Sequence, residues 1–229
     1  MHMLERRAVA SRAAIIAATL VLASGLASPV VAEDPAPGNS PKALVITPAE
    51  PPTPAAPAAG SAASTEENPC FTGKGSIKDV LDGCAAFLAS GSKDTDKLIA
   101  AHGNRAIGFS ATGNYDAALV ELNEAVALDP KQPNTYFMRA AAYEAKKDHD
   151  KAIVDLDEAV RLDASRGDFY MLRGIVFGQK GELDRAIVEL DQKVKLDPQA
   201  NIGFSKRADI YRQKKDYDRA IAAYTEVIK

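Results

Sequence analysis

The chain has 229 residues, of which 46% are hydrophobic and 26% are charged, and its formal net charge is −3. This composition allows a buried core, and the mild negative charge argues against a general nucleic-acid-binding protein, which would carry a basic stripe. The sequence has no block of like charges that would indicate a polyanionic or polycationic tail.

Residues 1–32 have the pattern of a secretory signal peptide. Three arginines precede a charge-free apolar stretch at 13–27, and Val30 and Ala32 are small residues at the positions that signal peptidase reads. The alternative is an uncleaved membrane anchor, but a spanning helix needs roughly 20 apolar residues and this stretch is shorter. The pattern predicts cleavage after Ala32 and a periplasmic or secreted bacterial protein that has no membrane span once it is cleaved.

Residues 33–67 are rich in proline and alanine and contain few large apolar side chains. A segment of this composition buries too little apolar surface to offset the entropy lost on ordering. It is therefore predicted to be a disordered linker with polyproline character. A proline-rich ligand segment is the alternative interpretation of the same composition.

The next segment, 68–98, contains Cys70 and Cys84, the only two cysteines of the chain. In an oxidising compartment such a pair predicts a structural disulfide. A metal site is disfavoured because no histidine lies nearby, and no C-x-x-C motif indicates a redox site. Apolar residues recur every three or four positions from Ser76 to Ser90, which predicts a capping helix with Ser76 as its N-cap.

The rest of the sequence repeats every 34 residues. The matching segments are GNYDAALVELNEAVALDP (113–130), KDHDKAIVDLDEAVRLDA (147–164), GELDRAIVELDQKVKLDP (181–198) and the shorter KDYDRAIAAYTEVIK (215–229). Each unit contains two amphipathic blocks separated by a short polar turn, which predicts two antiparallel helices. The predicted units are 99–132, 133–166, 167–200 and 201–229.

Small residues recur where the two predicted helices of each unit meet, in the pairs Ala106 and Ala118, Ala140 and Ala152, Gly174 and Ala186, and Ala208 and Ala220. A unit with an aromatic, a small residue, a second aromatic, A-x-x-x-L-x-x-A and L-D-P resembles the tetratricopeptide repeat. The resemblance covers 99–229 and implies an all-α, right-handed superhelical solenoid of antiparallel helix pairs. It implies about four tetratricopeptide units, with the helix at 76–90 as an N-terminal half-repeat cap. Three residues depart from the family pattern: His102, Ala164 and Lys193.

An arginine stands at a fixed place in the first helix of every unit, where the family most often has leucine. Together with the signal pattern and the composition, which look bacterial, the sequence resembles a bacterial exported type of this repeat. The four arginines are Arg105, Arg139, Arg173 and Arg207. A buried guanidinium needs a partner, because burying an unpaired charge is costly. The second helices carry acids at a constant place, which predicts an internal ladder of ion pairs to Glu121, Asp155 and Glu189. The fourth unit has Ala223 there, so Arg207 would need another partner, such as an acid of the preceding helix. The alternative is that the arginines line a groove and bind anionic groups.

By resemblance, the first helices form a concave groove that binds extended or helical peptide segments of other proteins. The residues predicted to face it are Ile107, Ser110, Phe137, Ala141, Glu144, Asp168, Met171, Ile175, Asp209 and Arg212. An apolar centre with charges towards one end suits an apolar anchor with polar rim contacts. The basic clamp with which some family members hold a C-terminal carboxylate does not carry over, since Phe137, Ala141 and Leu172 occupy comparable positions.

No catalytic motif accompanies the repeats: H-E-x-x-H, G-x-S-x-G and a phosphate-binding glycine loop do not occur in the sequence. The sequence predicts a non-catalytic protein without a cofactor or a metal site. We expect an exported scaffold or adaptor that binds protein or peptide partners, with a role in cell-envelope assembly or secretion. The alternative is a self-associating structural protein, a homo-oligomer that stacks through a last repeat without a capping helix.

Overall fold

The structure, a computed structural model, describes residues 67–228, and within this range it contains ten α-helices and no strand. The helices are α1 Pro69–Thr72, α2 Ile77–Ala89, α3 Thr95–Ala111, α4 Tyr115–Leu128, α5 Pro133–Ala145, α6 His149–Leu162, α7 Gly167–Gln179, α8 Leu183–Leu196, α9 Asn201–Gln213 and α10 Tyr217–Ile228. The predicted all-α class is confirmed. The predicted signal peptide and nearly all of the predicted linker lie outside the described residues.

From α3 onward the helices form antiparallel pairs that stack into a solenoid. The pairs are α3 with α4, α5 with α6, α7 with α8 and α9 with α10, and each second helix also packs against the first helix of the next pair. Consecutive first helices touch each other as well. The right-handed sense of the superhelix stays a prediction.

The turn inside each helix pair contains one residue in the left-handed region of backbone conformation. These residues recur at intervals of 34. Gly113, Lys147, Gly181 and Lys215 have φ values of 77°, 62°, 81° and 62°. The residue after each of them donates its backbone N–H to the backbone carbonyl of the aromatic residue near the end of the first helix, for example Asp148 to Tyr143 at 2.9 Å. These bonds satisfy carbonyl groups that the helix end leaves without partners, and they reverse the chain within a few residues.

Both rows of small residues are buried where the paired helices meet, and Ala140, Ala152 and Ala186 have no exposed surface. Gly174 shows why size matters at this level. A Cβ atom on Gly174 would lie 2.9 Å from Cγ of Leu190 and 3.2 Å from the carbonyl oxygen of Ala186. The close approach of the backbones therefore depends on small side chains in both rows.

Lys193, which departs from the family pattern, is accommodated by two glycines. Its side chain is buried and its Nζ lies 2.7 Å from a carboxylate oxygen of Asp197. A Cβ atom on Gly167 would approach Cδ of Lys193 to 3.0 Å, and one on Gly203 would approach its Cγ to 3.1 Å. The lysine stem thus fills the space that these two glycines leave, and the charged end reaches its acid.

A disulfide-bonded cap precedes the first pair. Cys70 in α1 is bonded to Cys84 in α2, and both residues are buried. Ser76 caps α2, as the sequence predicts, by accepting the backbone N–H of Asp79. The carbonyl of Cys70, in the short helix α1, accepts a 2.7 Å hydrogen bond from the side chain of Asn104 in α3. The disulfide therefore holds α1 against α2, and the hydrogen bond from Asn104 joins this cap to the first repeat.

Replacing both Cys70 and Cys84 with alanine is expected to lower the free energy of unfolding by about 3 kcal/mol, because the bridge constrains the unfolded chain. Urea unfolding followed by circular dichroism measures this. The matched control is the wild-type chain with a reductant, which should show a similar loss. Equal urea midpoints for oxidised wild type and the double variant would contradict a stabilising bridge.

Candidate functional site

The arginine of each repeat lies between second helices whose backbones do not touch. Within residues 67–228, no Cα atom of α4, α6 or α8 comes within 8 Å of the next second helix. Arg139 spans one of these gaps. Its Nε and Nη2 donate to the two carboxylate oxygens of Asp155 at 2.8 and 2.7 Å, and its Nη1 donates to Asn123 at 2.9 Å. One guanidinium thus joins its own second helix to the preceding one.

The same arrangement recurs along the array. Nη2 of Arg173 donates to Glu189 at 2.8 Å and its Nη1 to Asp157 at 2.7 Å. Each arginine therefore has one partner position 16 residues later and another 16 residues earlier. The sequence predicted a partner in the preceding helix for Arg207, which is confirmed by Asp191, but missed this earlier position for Arg139 and Arg173, although the polar residues Asn123, Asp157 and Asp191 recur there at the same interval of 34.

The two ends of the ladder are incomplete. Arg105 pairs with Glu121 at 3.0 Å, but Ala89 stands 16 residues before it. Arg207 pairs with the preceding helix through Asp191 at 2.8 Å, while Ala223 stands 16 residues after it. In the first three repeats the guanidinium is directed to carboxylates of the second helices, which argues against the alternative in which the arginines bind external anions in a groove.

Aromatic rings and burial set the environment of the guanidinium groups. Arg139 lies over the ring of Tyr136 with 5.5 Å between its Cζ and the ring centre, a distance typical of a cation–π contact. The hydrogen bonds to Asp155 raise the pKa of Arg139 above its usual value. Burial acts to lower the pKa of Arg173, but Glu189 and Asp157 outweigh it, so that the net effect is a raised pKa. Since arginine is protonated at any physiological pH, the guanidinium groups of the ladder keep their positive charge throughout that range.

The first repeat modifies this pattern through His102, which stands where the later repeats have an aromatic. Its Nδ1 lies 2.8 Å from one carboxylate oxygen of Glu121, and Arg105 binds the other. Because His102 takes the place of that aromatic ring, Arg105 lies over the ring of Phe109, with 5.5 Å between its Cζ and the ring centre. His102 therefore serves as a hydrogen-bonding partner within the ladder.

A second, exposed ladder joins consecutive repeats at the turns. Its ion pairs, each 30 residues apart, are Lys146 with Asp116, Lys180 with Asp150 and Lys214 with Asp184. The three acids are more than 80% exposed, so solvent screens these pairs and their effect on stability is small. The sequence reasoning did not find them, because the partners belong to different repeats.

Most of the residues predicted to line the groove lie on first helices with partly exposed side chains. Half-buried are Ile107, Ser110, Ala141, Asp168, Met171, Ile175 and Asp209, and Arg212 is exposed. The acids at the rim have partners within the chain. Asp168 pairs with Arg166 at 2.6 Å, and Asp209 accepts a 2.6 Å hydrogen bond from the hydroxyl of Tyr224. The apolar part of this surface is therefore what remains for an external partner.

Two predicted groove residues are buried, and their assignment to the groove surface was wrong. Phe137 is 3% exposed and packs against Phe169, with 5.2 Å between the ring centres. Glu144 is 6% exposed and accepts a 2.7 Å hydrogen bond from Gln179 of the next repeat. Both side chains are covered by the following repeat, a contact that the pattern of a single repeat does not reveal.

The most exposed large apolar side chains of the repeats lie on the outer, second helices. Val120, Val154 and Val188 stand 34 residues apart and are 59%, 67% and 65% exposed. Sequence reasoning missed this row, although the interval marks it.

Metal binding and membrane insertion can both be assessed over residues 67–228. No group of three or more histidine, cysteine, aspartate or glutamate side chains in this part of the chain is arranged to hold a metal ion. Among the helices described, none combines the length and the apolar character needed to cross a bilayer.

Sequence comparison identifies the repeats. Family models described as TPR repeat or tetratricopeptide repeat match residues 109–147, 133–166 and 171–229. The chain belongs to the tetratricopeptide-repeat family. The comparison with curated protein sequences found no match.

Solved structures share the tetratricopeptide fold. MamA from Desulfovibrio magneticus RS-1, solved from residue 41 to its end, is 19% identical with a TM-score of 0.62, and the match covers 69% of this chain and 87% of the solved MamA chain. A tetratricopeptide protein of Thermus thermophilus is 22% identical with a TM-score of 0.56, covering 66% and 81%. The first tetratricopeptide domain of Spaghetti (RPAP3), bound to an HSP90 peptide, is 23% identical with a TM-score of 0.50, covering 53% and 96%. At these identities the likeness concerns the fold alone.

The ladder can be tested with a double-mutant cycle on Arg139 and Asp155. Asp155→Ala leaves a largely buried guanidinium without its bidentate partner and should lower the free energy of unfolding by about 3 kcal/mol. Adding Arg139→Leu should recover part of this loss, because the unpaired charge is removed. Urea unfolding is measured for Asp155→Ala, for Arg139→Leu and for the double variant. The matched control is the exposed pair Lys180 and Asp150, whose coupling should be much smaller; equal couplings for the two pairs would exclude a special role for the ladder.

Proposed function

We propose that this protein is a non-catalytic exported scaffold that binds segments of other proteins on the inner surface of its solenoid. The observation that carries this proposal is the partly exposed apolar surface shared by consecutive first helices, with Ile107, Ala141, Met171 and Ile175 at its centre. Half-buried apolar side chains can gain further burial when a partner segment covers them.

The arginine ladder supports this function by holding the repeats in register. A binding surface built from several helices loses less entropy on association when the helices are already fixed relative to one another. The Spaghetti (RPAP3) domain, bound to an HSP90 peptide, is an example of a protein with this fold that binds a peptide. We expect an apolar anchor as the main contact here. The positions comparable to the basic clamp for a terminal carboxylate are occupied by the apolar residues Phe137, Ala141 and Leu172.

The proposed location is the periplasm or the exterior of a bacterial cell, with a role in cell-envelope assembly or secretion. The charged, apolar and small-residue pattern of 1–32 supports export. A disulfide between Cys70 and Cys84 also fits an oxidising compartment, since cytosolic thiols are kept reduced. The two observations are independent, because one concerns targeting and the other concerns folding.

The inner surface is tested by comparing two double variants as baits in pull-down mass spectrometry, each starting at Glu33. Met171→Gln with Ile175→Gln changes the inner surface, and Val154→Gln with Val188→Gln is the matched control on the outer helices. Both must keep wild-type helicity. We expect the inner variant alone to lose the envelope proteins that wild type captures, because a polar amide in place of an apolar contact weakens anchoring.

Three outcomes of that pull-down would contradict the groove. Retention of the same proteins by the inner variant would show that capture does not depend on the inner surface, and loss with both variants would show that it is not specific to that surface. Recovery of mainly the untagged chain with every bait would favour a self-associating structural protein. In that case we also expect the molecular mass in solution to rise with protein concentration.

Export is tested by measuring the intact mass of the protein in the periplasmic fraction of a bacterial host. We expect a chain that begins at Glu33, because signal peptidase reads the small residues Val30 and Ala32. Ala32→Arg is the control and should leave the uncleaved precursor in the membrane fraction. A wild-type chain that keeps residues 1–32 in the cytosol would contradict the proposed location.

A further inference from the structure

The fourth repeat leaves one side of its ladder arginine without a partner from the chain. In the first three repeats the residue 16 positions after the arginine is Glu121, Asp155 or Glu189, and each carboxylate is bound by the guanidinium. In the fourth repeat that residue is Ala223, which is buried and offers only a methyl group. The internal repeats thus display three filled versions of a site that is incomplete at Arg207.

The geometry of Arg139 and Arg173 shows which edge of the guanidinium is concerned. In both residues Nη1 donates to the preceding second helix, and Nη2 donates to the following one. In Arg139 the Nε joins Nη2 on the same carboxylate, Asp155. Arg207 uses its Nη1 for Asp191 of the preceding helix at 2.8 Å. Its Nε and Nη2 therefore correspond to the edge that grips a carboxylate in the second repeat.

The edge of Arg207 beside Ala223 contains a buried N–H group that lacks a hydrogen-bond acceptor within residues 67–228, which is energetically unfavourable. The Nε of Arg207 is buried and has no hydrogen-bond acceptor among the described residues. The Nε atoms of Arg105 and Arg173 share this condition, but those guanidinium groups already hold a carboxylate of the following helix through an Nη atom. An acceptor beside Ala223 would satisfy the Nε of Arg207 and supply the carboxylate that only this repeat lacks.

The charge of Arg207 is also less well compensated than that of Arg139. Its carboxylate partner, Asp191, has a side chain that is 40% exposed, whereas that of Asp155 is 5% exposed. Solvent screens the exposed pair more strongly, so an additional anion gains more at Arg207 than it would beside a filled position. The side chain of Arg207 is itself 21% exposed as a whole, so part of it lies at the outer surface, while its Nε atom is buried.

We propose that the Nε–Nη2 edge of Arg207, beside Ala223, is a binding site for one carboxylate group. The planar fork of arginine matches a carboxylate through two parallel hydrogen bonds, which is the arrangement that Arg139 makes with Asp155. The ring of Phe204 lies under the guanidinium, 5.4 Å from its Cζ, and supports its orientation. The site lies between second helices and is independent of the inner surface, so it stands or falls separately from the proposed function.

The test follows the Nε–Hε signals of the arginines by nuclear magnetic resonance in the chain from Glu33 on, titrated with sodium acetate at constant ionic strength. We expect a saturable shift of the Arg207 signal and no comparable shift for Arg139, whose Nε is held by Asp155. An Arg207 signal that follows chloride as closely as acetate, or that never saturates, would overturn the site. An equal response to inorganic phosphate would overturn its assignment to carboxylates.

A second arm distinguishes the source of the carboxylate. A capped tripeptide with a central aspartate carries the same group on a protein-like side chain. A shift with both acetate and the tripeptide supports the site and assigns it to acidic side chains of a partner protein. A shift with acetate alone also supports the site and assigns it to small free carboxylates.

Ala223→Asp provides an internal ligand and serves as the decisive variant. It should abolish the acetate response of Arg207 and raise the urea midpoint, while Ala223→Ser, which adds no charge, should leave the acetate response in place. If Ala223→Asp folds and Arg207 still responds to acetate as in wild type, the proposed edge is not the binding site. If that variant does not fold, the wild-type titration with Arg139 as its internal control still decides.

Discussion

The structure depends on a guanidinium that joins two helices which would otherwise not meet. Consecutive second helices in this solenoid are separated at the backbone level, and Arg139 and Arg173 bridge the gap by bonding to both neighbours. A long side chain with a planar, multidentate end is suited to this task, because it reaches across the gap and restricts the relative position of its partners. The family's usual leucine packs but cannot specify register in this way.

The cost of burying four charges is met locally. Acids from the second helices neutralise each arginine, and aromatic rings lie beside the guanidinium faces. Small residues on the paired helices allow the backbones to approach, so that the arginine ends up between neighbouring repeats. Lys193 is accommodated in a similar way. Its buried stem packs against Gly167 and Gly203, and its ammonium group pairs with Asp197. Each buried charge therefore finds its acid, and each large side chain finds its space, within the same repeat or the neighbouring one.

A solenoid stiffened in this manner presents two different surfaces. The inner one combines half-buried apolar residues such as Met171 and Ile175 with acids that already have partners, and it suits an apolar segment of another protein. The outer one carries the exposed valines and the ladder, and its chemistry is that of arginines paired with carboxylates. The disulfide-bonded cap closes the first repeat and keeps the end of the inner surface in place.

The sequence by itself determined the features that act within one repeat. The interval of 34 residues predicted the helix pairs, and the place of Arg139 and Asp155 in one unit predicted that they pair. Tertiary structure decided what happens between repeats. Asn123 as a second partner of Arg139, and the burial of Phe137 and Glu144 by the following repeat, depend on how one helix pair rotates against the next. A periodic pattern specifies which residues are equivalent, but the distance between residues of different repeats follows only from the packing of side chains at their interface.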